Sequence, residues 1–254
     1  MSRLIIVGSG IKSLAHLTKE TIVIVEKADK VLFLTNDQYT SDYIKSLNGN
    51  AESLEQEYFS CSERIKSYER INRRIIHDCS IYDNVCVVFY GHPTFFVDSS
   101  LKVINDIKAL GGEGYIIPAI SSLDCLLSDL LINPAKMGLN VYDATDFLVF
   151  NRVIDTFAYL ILFQVSNLGT SDFAITKNIM ILKDFLLKYY PENHEICLYS
   201  ASQYPGQKFI ANLMSLKKLD LASLSHQTTL CIPPLKNRKI NQDIVSALGL
   251  DLIS

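Results

Sequence analysis

The run VVFYGHPTFF, residues 87–96, takes an apolar, β-like segment into a tyrosine, a glycine, a histidine and a proline, and then into aromatics. A buried strand that ends in a tight turn needs a glycine or a proline, because these residues supply the backbone angles of the turn. It does not need the phenol of Tyr90 or the imidazole of His92. That surplus chemistry marks the turn as a candidate site. In the plainer alternative Gly91 and Pro93 make the turn and His92 is a satisfied histidine.

Around this stretch, short β-rich runs alternate with helical ones, the pattern of an α/β chain. RLIIVG (3–8), KVLFLT (30–35) and VCVVFY (85–90) read as buried strands. Leu14, Leu17, Ile24, Val25 and Ala28 fit one helical face, against the β-branched character of TIVIV. A helix is expected near 98–110, then a GGEG turn and YIIPAI. The second half repeats the alternation. Its strand candidates are FLVF (147–150), AYLILFQ (158–164), EICLYS (195–200), QKFIANL (207–213) and TTLCIPP (228–234). Its helix candidates are 121–131, 173–189 and a short apolar one in DIVSALGLDLI near the end. A boundary falls near 113–118, which gives two α/β domains, 1–115 and 116–254. No internal repeat or low-complexity linker interrupts them.

Composition narrows the class. Of 254 residues 48% are apolar and 20% charged, enough apolar material for a sizeable core, and the formal charge is −3 with no basic tract. Such a surface offers nothing to nucleic acid or to an anionic membrane. The six cysteines have no C-x-x-C spacing and sit mostly in apolar runs, so they read as buried free thiols of a reducing compartment. LIIV at the N-terminus is too short for a signal peptide. FAYLILFQV falls far below the roughly 20 residues that span a bilayer. A cytoplasmic, soluble protein is expected.

Three further stretches carry chemistry. VGSGIK (7–12) follows a strand but has Ser13 where G-x-G-x-x-G has its third glycine, and it lacks GK[ST]. A tight strand-to-helix turn explains it as well as a phosphate loop does. In EYFSCSERIKSYERINRRII, Ser60 and Glu63 have capping-box spacing, which predicts a helix from about Cys61. Ile65, Tyr68, Ile71 and Ile75 form its apolar stripe, and Tyr58 lies in the loop before it. Arg64 and Tyr68, four apart, share a face. A guanidinium beside a phenol favours the phenolate, which is one way to make tyrosine a base. The plain alternative is an amphipathic helix with a solvated arginine. IPAISSLDCLLSDL (117–130) reads as a strand, a proline turn and a helix that opens at Ser121-Ser122. Its amide groups can receive an anion, or Ser121 simply caps the helix. No histidine–carboxylate cluster indicates a metal, and no G-x-S-x-G or Cys/His signature indicates a hydrolase.

Taken in order, VGSG, KADKVLFL, the G-x-P strand end, PAISSLDC and TTLCIPP resemble the tetrapyrrole methylase superfamily over residues 3 to 236. General members carry G-D-P where this chain has Gly91-His92-Pro93. With Tyr58-x5-Arg64-x3-Tyr68, LILFQV, residues 128–156 and YYPENHEICLY (189–199), YGHP resembles the borosin branch, the peptide backbone α-N-methyltransferases. Ala119 departs from the family, which has glycine after that proline.

The resemblance implies two α/β domains with S-adenosylmethionine folded in the cleft between them, and S-adenosylhomocysteine as product. It implies an intertwined homodimer that methylates main-chain amides of a precursor peptide. Because the chain ends about twenty residues past CIPP, the split type is expected, with a separate precursor bearing a helical leader, in a 2:2 complex. Tyr58, Arg64, Tyr68 and Tyr90 match the family's catalytic set. Tyr68 is the candidate base, with Tyr58 assisting and Tyr90 at the methyl end of the cofactor. By the same match Tyr90, His92, Phe95, Ser121, Ser122, Gln164, Tyr199, Thr228 and Thr229 border the cofactor. The competing readings are a methylase of a tetrapyrrole or other small molecule, and a catalytically silent, peptide-binding dimer.

Overall fold

The structure, a computed structural model, describes residues 2–61, 63–170, 175 and 178–250. The chain forms two compact units that interleave in sequence. One comprises Met1–Ile132, Gly169–Thr176 and Tyr199–Ala211, and the other Asn133–Leu168, Lys177–Leu198 and Asn212–Ser254. The sequence reading draws one boundary after residue 115. The first unit instead runs on through Ile132 and takes in later segments. The reason for 199–211 is specific: the Tyr199 hydroxyl donates to Asp129 Oδ2 at 2.6 Å, and Gln203 bonds to Ser13 and Tyr90.

The first unit holds a parallel sheet of β1 (Arg3–Gly8), β2 (Lys30–Leu34), β3 (Ala51–Ser53), β4 (Asn84–Phe89) and β5 (Glu113–Ile116), in the order β3-β2-β4-β1-β5. Helices α1 (Lys19–Lys27), α2 (Gln38–Leu47), α4 (Arg64–Cys79) and α5 (Asp98–Ala109) connect the strands, with a short α3 (Glu55–Phe59) before α4. A parallel sheet covered on both faces needs apolar residues on both, hence runs such as NVCVVF. Val85, Val87 and Phe89 cluster with Ile71 and Ile75 of α4 and with Val103 and Ile107 of α5. Cys86 and Val88 cluster instead with Val25 of α1 and Ile44 of α2. The connection out of β1 runs one way along the sheet and that out of β4 runs the other. With right-handed crossovers this puts their helices on opposite faces and makes the carboxyl ends of β1 and β4 the natural ligand edge.

α6 (Ser122–Asp129) is the last helix in the first segment of that unit. The second sheet has β6 (Leu139–Asp143), β7 (Tyr159–Phe163), β8 (Glu195–Ser200), β9 (Ile210–Ser215) and β10 (Thr229–Ile232), in the order β6-β7-β10-β8-β9. β6 runs parallel to β7, and β10 antiparallel to it. Its core joins Leu160, Leu162, Ile196 and Leu230 to Phe147 of α8 (Ala144–Val149) and to Leu182 and Leu186 of α9 (Ile179–Leu186). A four-residue α7 (Pro134–Met137) precedes β6, and α10 (Gln242–Ala247) lies in the tail.

Several expected elements come out differently. FLVF is not a strand but lies largely in α8. Asp143 accepts hydrogen bonds from the amides of Thr145 and Asp146, so the cap outweighs the β-forming composition. Leu14 and Leu17 precede α1, and Leu14 sits in a turn with φ +56°. TIVIV is helical, capped by Thr18 and buried at Thr21 and Val25. QKFIANL enters its strand only at Ile210. Of the helix expected over 173–189, α9 is the described part, while positions 173, 174, 176 and 177 lie outside the described residues. So do 251–254 of the tail.

Candidate functional site

A cavity of about 510 Å³ opens at the carboxyl ends of β2 and β4, within the range of about 300–1,000 Å³ typical of small-molecule sites. Its wall includes Leu34 to Gln38, Tyr58 and Phe59 of α3, Tyr68 and Ile71 of α4, Phe89 and Tyr90 leaving β4, and Val97 and Ser99. Three of the four expected catalytic residues therefore share one wall. The rings of Tyr58 and Tyr68 lie 6.1 Å apart, tilted by 37°. Arg64 begins α4 and donates from Nη2 to the Thr170 carbonyl at 3.2 Å. Its charge still reaches both phenols.

Arg64 favours the phenolate form of both tyrosines, as expected, but burial is the larger effect. Burial pushes both phenols above the usual range, Tyr58 the further, and the Arg64 guanidinium opposes this without overcoming it. The hydrogen bond between them acts in opposite senses, raising Tyr58 and lowering Tyr68. Burial also pushes Tyr90 up, to about 12.

Local expectations around α4 change as well. The helix starts at Arg64 with Glu63 as a cap whose side chain takes no helix amide and pairs instead with Lys66 at 2.6 Å, so the Ser60–Glu63 box does not form. Ser60 Oγ donates back to the Glu57 carbonyl. Tyr58 is helical, in α3, rather than in a loop. Ile71 and Ile75 are buried, but Ile65 is 67% exposed.

The YGHP turn is held from the side by the glycine loop. Gly10 and Gly91 exchange backbone hydrogen bonds of 3.2 and 3.0 Å, both at positive φ, near +71°. Gly8 lies so close that a Cβ there would stand 2.1 Å from the Gly91 carbonyl, 2.6 Å from the Ala119 methyl and 2.9 Å from Pro93 Cδ. The backbone of Gly-Ser-Gly is thus used for packing against the turn, and Ala119 fills space that Gly8 leaves. Ser13, in the place of a third glycine, donates to Asp37 Oδ1 at 2.7 Å.

The expected cofactor residues fall on several elements of both units. His92 accepts from the Thr94 amide at 3.2 Å, and Phe95 stands edge-on to Phe96. Ser121 caps α6 in a full capping box with Asp124, and Ser122 is its first residue. Tyr199 is 1% exposed, its hydroxyl on Asp129. Gln164 has φ +61° before a 3-10 turn. Thr228 accepts from the Ser225 amide at 2.9 Å, and Thr229 opens β10. Of this set, Tyr90 lines the cavity. Asn36, Asp37 and Gln203 were missed by the sequence reading, because nothing in their local spacing brings them to β4.

Among the described residues no acidic, histidine or cysteine cluster could hold a metal, and no helix is long and apolar enough to cross a membrane. All six cysteines are free thiols, and burial pushes Cys86 up to about 12.

Comparison with known proteins now bears on this arrangement. The family model Tetrapyrrole (Corrin/Porphyrin) Methylases matches residues 3–216. The chain belongs to this methylase family. It is 32% identical over 253 residues to the methyltransferase/ribosomally synthesized cyclic peptide lentinulin A precursor of Lentinula edodes, covering 96% of this chain and 61% of that protein. It is 31% identical to the corresponding omphalotin A precursor of Omphalotus olearius, over 97% of this chain and 61% of that one. The chain thus spans about three fifths of the length of these relatives. Among solved structures it resembles a uroporphyrin-III-C-methyltransferase from Thermus thermophilus, with TM-score 0.64, 18% identity and 91% and 92% of the two chains covered. A second structure of such an enzyme from that organism, complexed with S-adenyl homocysteine, aligns at 0.64 and 14%, with the same coverage. These likenesses fix the methylase fold.

Proposed function

We propose that this methylase-family chain transfers methyl groups from S-adenosylmethionine to backbone amide nitrogens of a precursor peptide. The observation that carries the reading is the Tyr58–Tyr68 pair, sharing a hydrogen bond and one cavity wall with Tyr90. The relatives, each a methyltransferase joined to a cyclic-peptide precursor, support the substrate class.

The cofactor, when bound, supplies an electrophilic methyl on sulfur. The chain has to supply the rest. A peptide nitrogen is a poor nucleophile because its lone pair is delocalised into the carbonyl. Removing the amide proton restores nucleophilicity, and charge that develops on the carbonyl oxygen needs a donor. Tyr68, one helical turn from Arg64, is the proposed base, and Tyr58, beside it on the cavity wall, the proposed donor to the carbonyl oxygen. Arg64 favours the anionic form of either. Of the family-matched residues, Tyr90 and Phe95 offer aromatic faces to such a group, and Tyr90 lines the cavity.

The reaction is tested by incubating the protein with S-adenosylmethionine and its precursor and mapping each 14 Da addition by fragmentation. Methylation of backbone nitrogens supports the reading. Methylation confined to side chains, or of a tetrapyrrole instead, overturns it.

The raised phenol also fixes a pH dependence. A base must be unprotonated, and even an unshifted phenol of pKa about 10 is only about one part in a thousand phenolate at pH 7. Burial moves Tyr68 further up, so the active fraction grows about tenfold per pH unit throughout pH 7–9. Single-turnover rates at saturating cofactor should rise with slope near +1 and not level off. A flat profile removes Tyr68 as the base.

A homodimer is part of the same proposal. β9 is an edge strand whose Ile210 and Leu213 are 56% and 63% exposed, an apolar edge that invites pairing. Light scattering should give about twice the 28.6 kDa chain mass, and a monomer across micromolar concentrations contradicts it.

A further inference from the structure

Gln203 has no place in the family-matched set, yet it is bonded to the cavity wall. The Tyr90 hydroxyl donates to Gln203 Oε1 at 3.0 Å, and Asn36 Nδ2 donates to the same oxygen. Both donors line the cavity. The loop that carries Gln203 is tied down on several sides. The Gln203 carbonyl accepts from the Ser13 amide at 2.9 Å, and its own amide donates to Gln207 Oε1 at 3.3 Å. Residues 204–207 close a turn, with the Gln207 amide on the Tyr204 carbonyl at 3.2 Å and Gly206 at φ +77°. Pro205-Gly206 is the central pair that a type II turn selects. Ser202 Oγ donates to the Tyr204 carbonyl at 2.8 Å, and the Tyr204 ring meets Tyr39 edge-on with centroids 6.3 Å apart.

A phenol has one proton and two lone pairs. A tyrosine hydroxyl with no partner can turn its proton either way in the ring plane. One that donates to a fixed carbonyl oxygen cannot, and it then presents lone pairs to whatever else lies beside it. Asn36 holds the Gln203 amide in the orientation that offers oxygen rather than nitrogen. We propose that Gln203 is a positioning residue that commits the Tyr90 proton and leaves the Tyr90 oxygen as a pure acceptor toward the cavity. Its effect on turnover rests on the methyltransferase reading above. An acceptor there suits a positively polarised methyl group or a peptide N–H, and disfavours an anion. Burial keeps Tyr90 in the neutral form that this requires.

The test is a double-mutant cycle. Gln203→Leu keeps the size and removes the acceptor, and it should lower kcat about 5–10-fold, as the loss of one hydrogen bond does, with KM for the precursor unchanged. Gln203→Glu still accepts from both donors and should restore most of kcat. In a Tyr90→Phe background, Gln203→Leu should cost nothing further. An equal loss in both backgrounds, or full activity of Gln203→Leu, overturns the proposal. A second readout is independent of turnover. With tyrosine labelled at 13Cζ, the Tyr90 resonance, identified by its loss in Tyr90→Phe, should shift in Gln203→Leu and return in Gln203→Glu. If the native protein does not methylate and this resonance responds, the functional reading falls and the positioning stands. If the resonance does not move, the positioning falls whatever the activity.

Discussion

The Tyr58→Phe/Tyr68→Phe variant should bind S-adenosylhomocysteine as the native protein does and lose turnover by about 10²–10⁴-fold, the usual cost of removing a general base. Phenylalanine keeps both rings, so the packing of Tyr58 and Tyr68 against the core of the first unit is retained. What disappears is two hydroxyls and the bond between them. Removing both together avoids leaving one buried hydroxyl without its partner, which would confuse lost chemistry with lost stability. The single variants should differ in kind. Tyr68→Phe removes the base and should flatten the rise of rate with pH. Tyr58→Phe keeps Tyr68, so the rise of rate with pH should persist while the rate at each pH falls. Arg64→Ala should move the rise to higher pH, and Arg64→Lys should recover part of the loss, since lysine keeps the charge without the planar fork. Calorimetry with S-adenosylhomocysteine and mass spectrometry of the precursor read the two properties separately. Full activity of the double variant eliminates both phenols as the base. Absent binding by the native protein at millimolar ligand eliminates the methyltransferase reading.

The parallel sheet was legible because buried strands must be apolar on both faces, and KVLFL and NVCVVF are. TIVIV and FLVF show where that signal fails. Both are β-branched or aromatic, and both lie in helices, because Thr18 and Asp143 cap them and only one face of each is buried. The site was legible in part for a different reason. Tyr58, Arg64 and Tyr68 are close in sequence, and the strand end at Tyr90 marks itself by its turn. Gln203 and Asn36 have no local signature. Their relation to Tyr90 exists only once β2 and β4 are paired and the 201–207 loop is pinned to Ser13. The sense of the phenol shift was illegible as well. Sequence shows the arginine four residues away but not the burial of the rings, and burial is the larger effect.

Gly8→Ala should be among the most destabilising single-methyl additions in the first unit. Overpacking a core usually costs about 1–3 kcal/mol, and more where the neighbours cannot yield. Here the nearest neighbour of the new methyl is the Gly91 carbonyl, at 2.1 Å, and a backbone atom cannot rotate away as a side chain does. That carbonyl also accepts the Gly10 amide, so moving it breaks the bridge that seats the YGHP turn. Ala119 gives the control. Ala119→Gly removes the methyl 2.6 Å from the new Cβ and leaves the carbonyl in place. The Gly8→Ala/Ala119→Gly variant should therefore recover little of the stability lost. Urea denaturation reads the loss as a lower midpoint at unchanged m-value. The turn carries Tyr90 on one side and His92 on the other, so the same displacement should weaken S-adenosylhomocysteine binding even where the variant remains folded. Native-like stability of Gly8→Ala, or full rescue by Ala119→Gly, would mean that the glycine loop and the YGHP turn are not held together by this backbone contact.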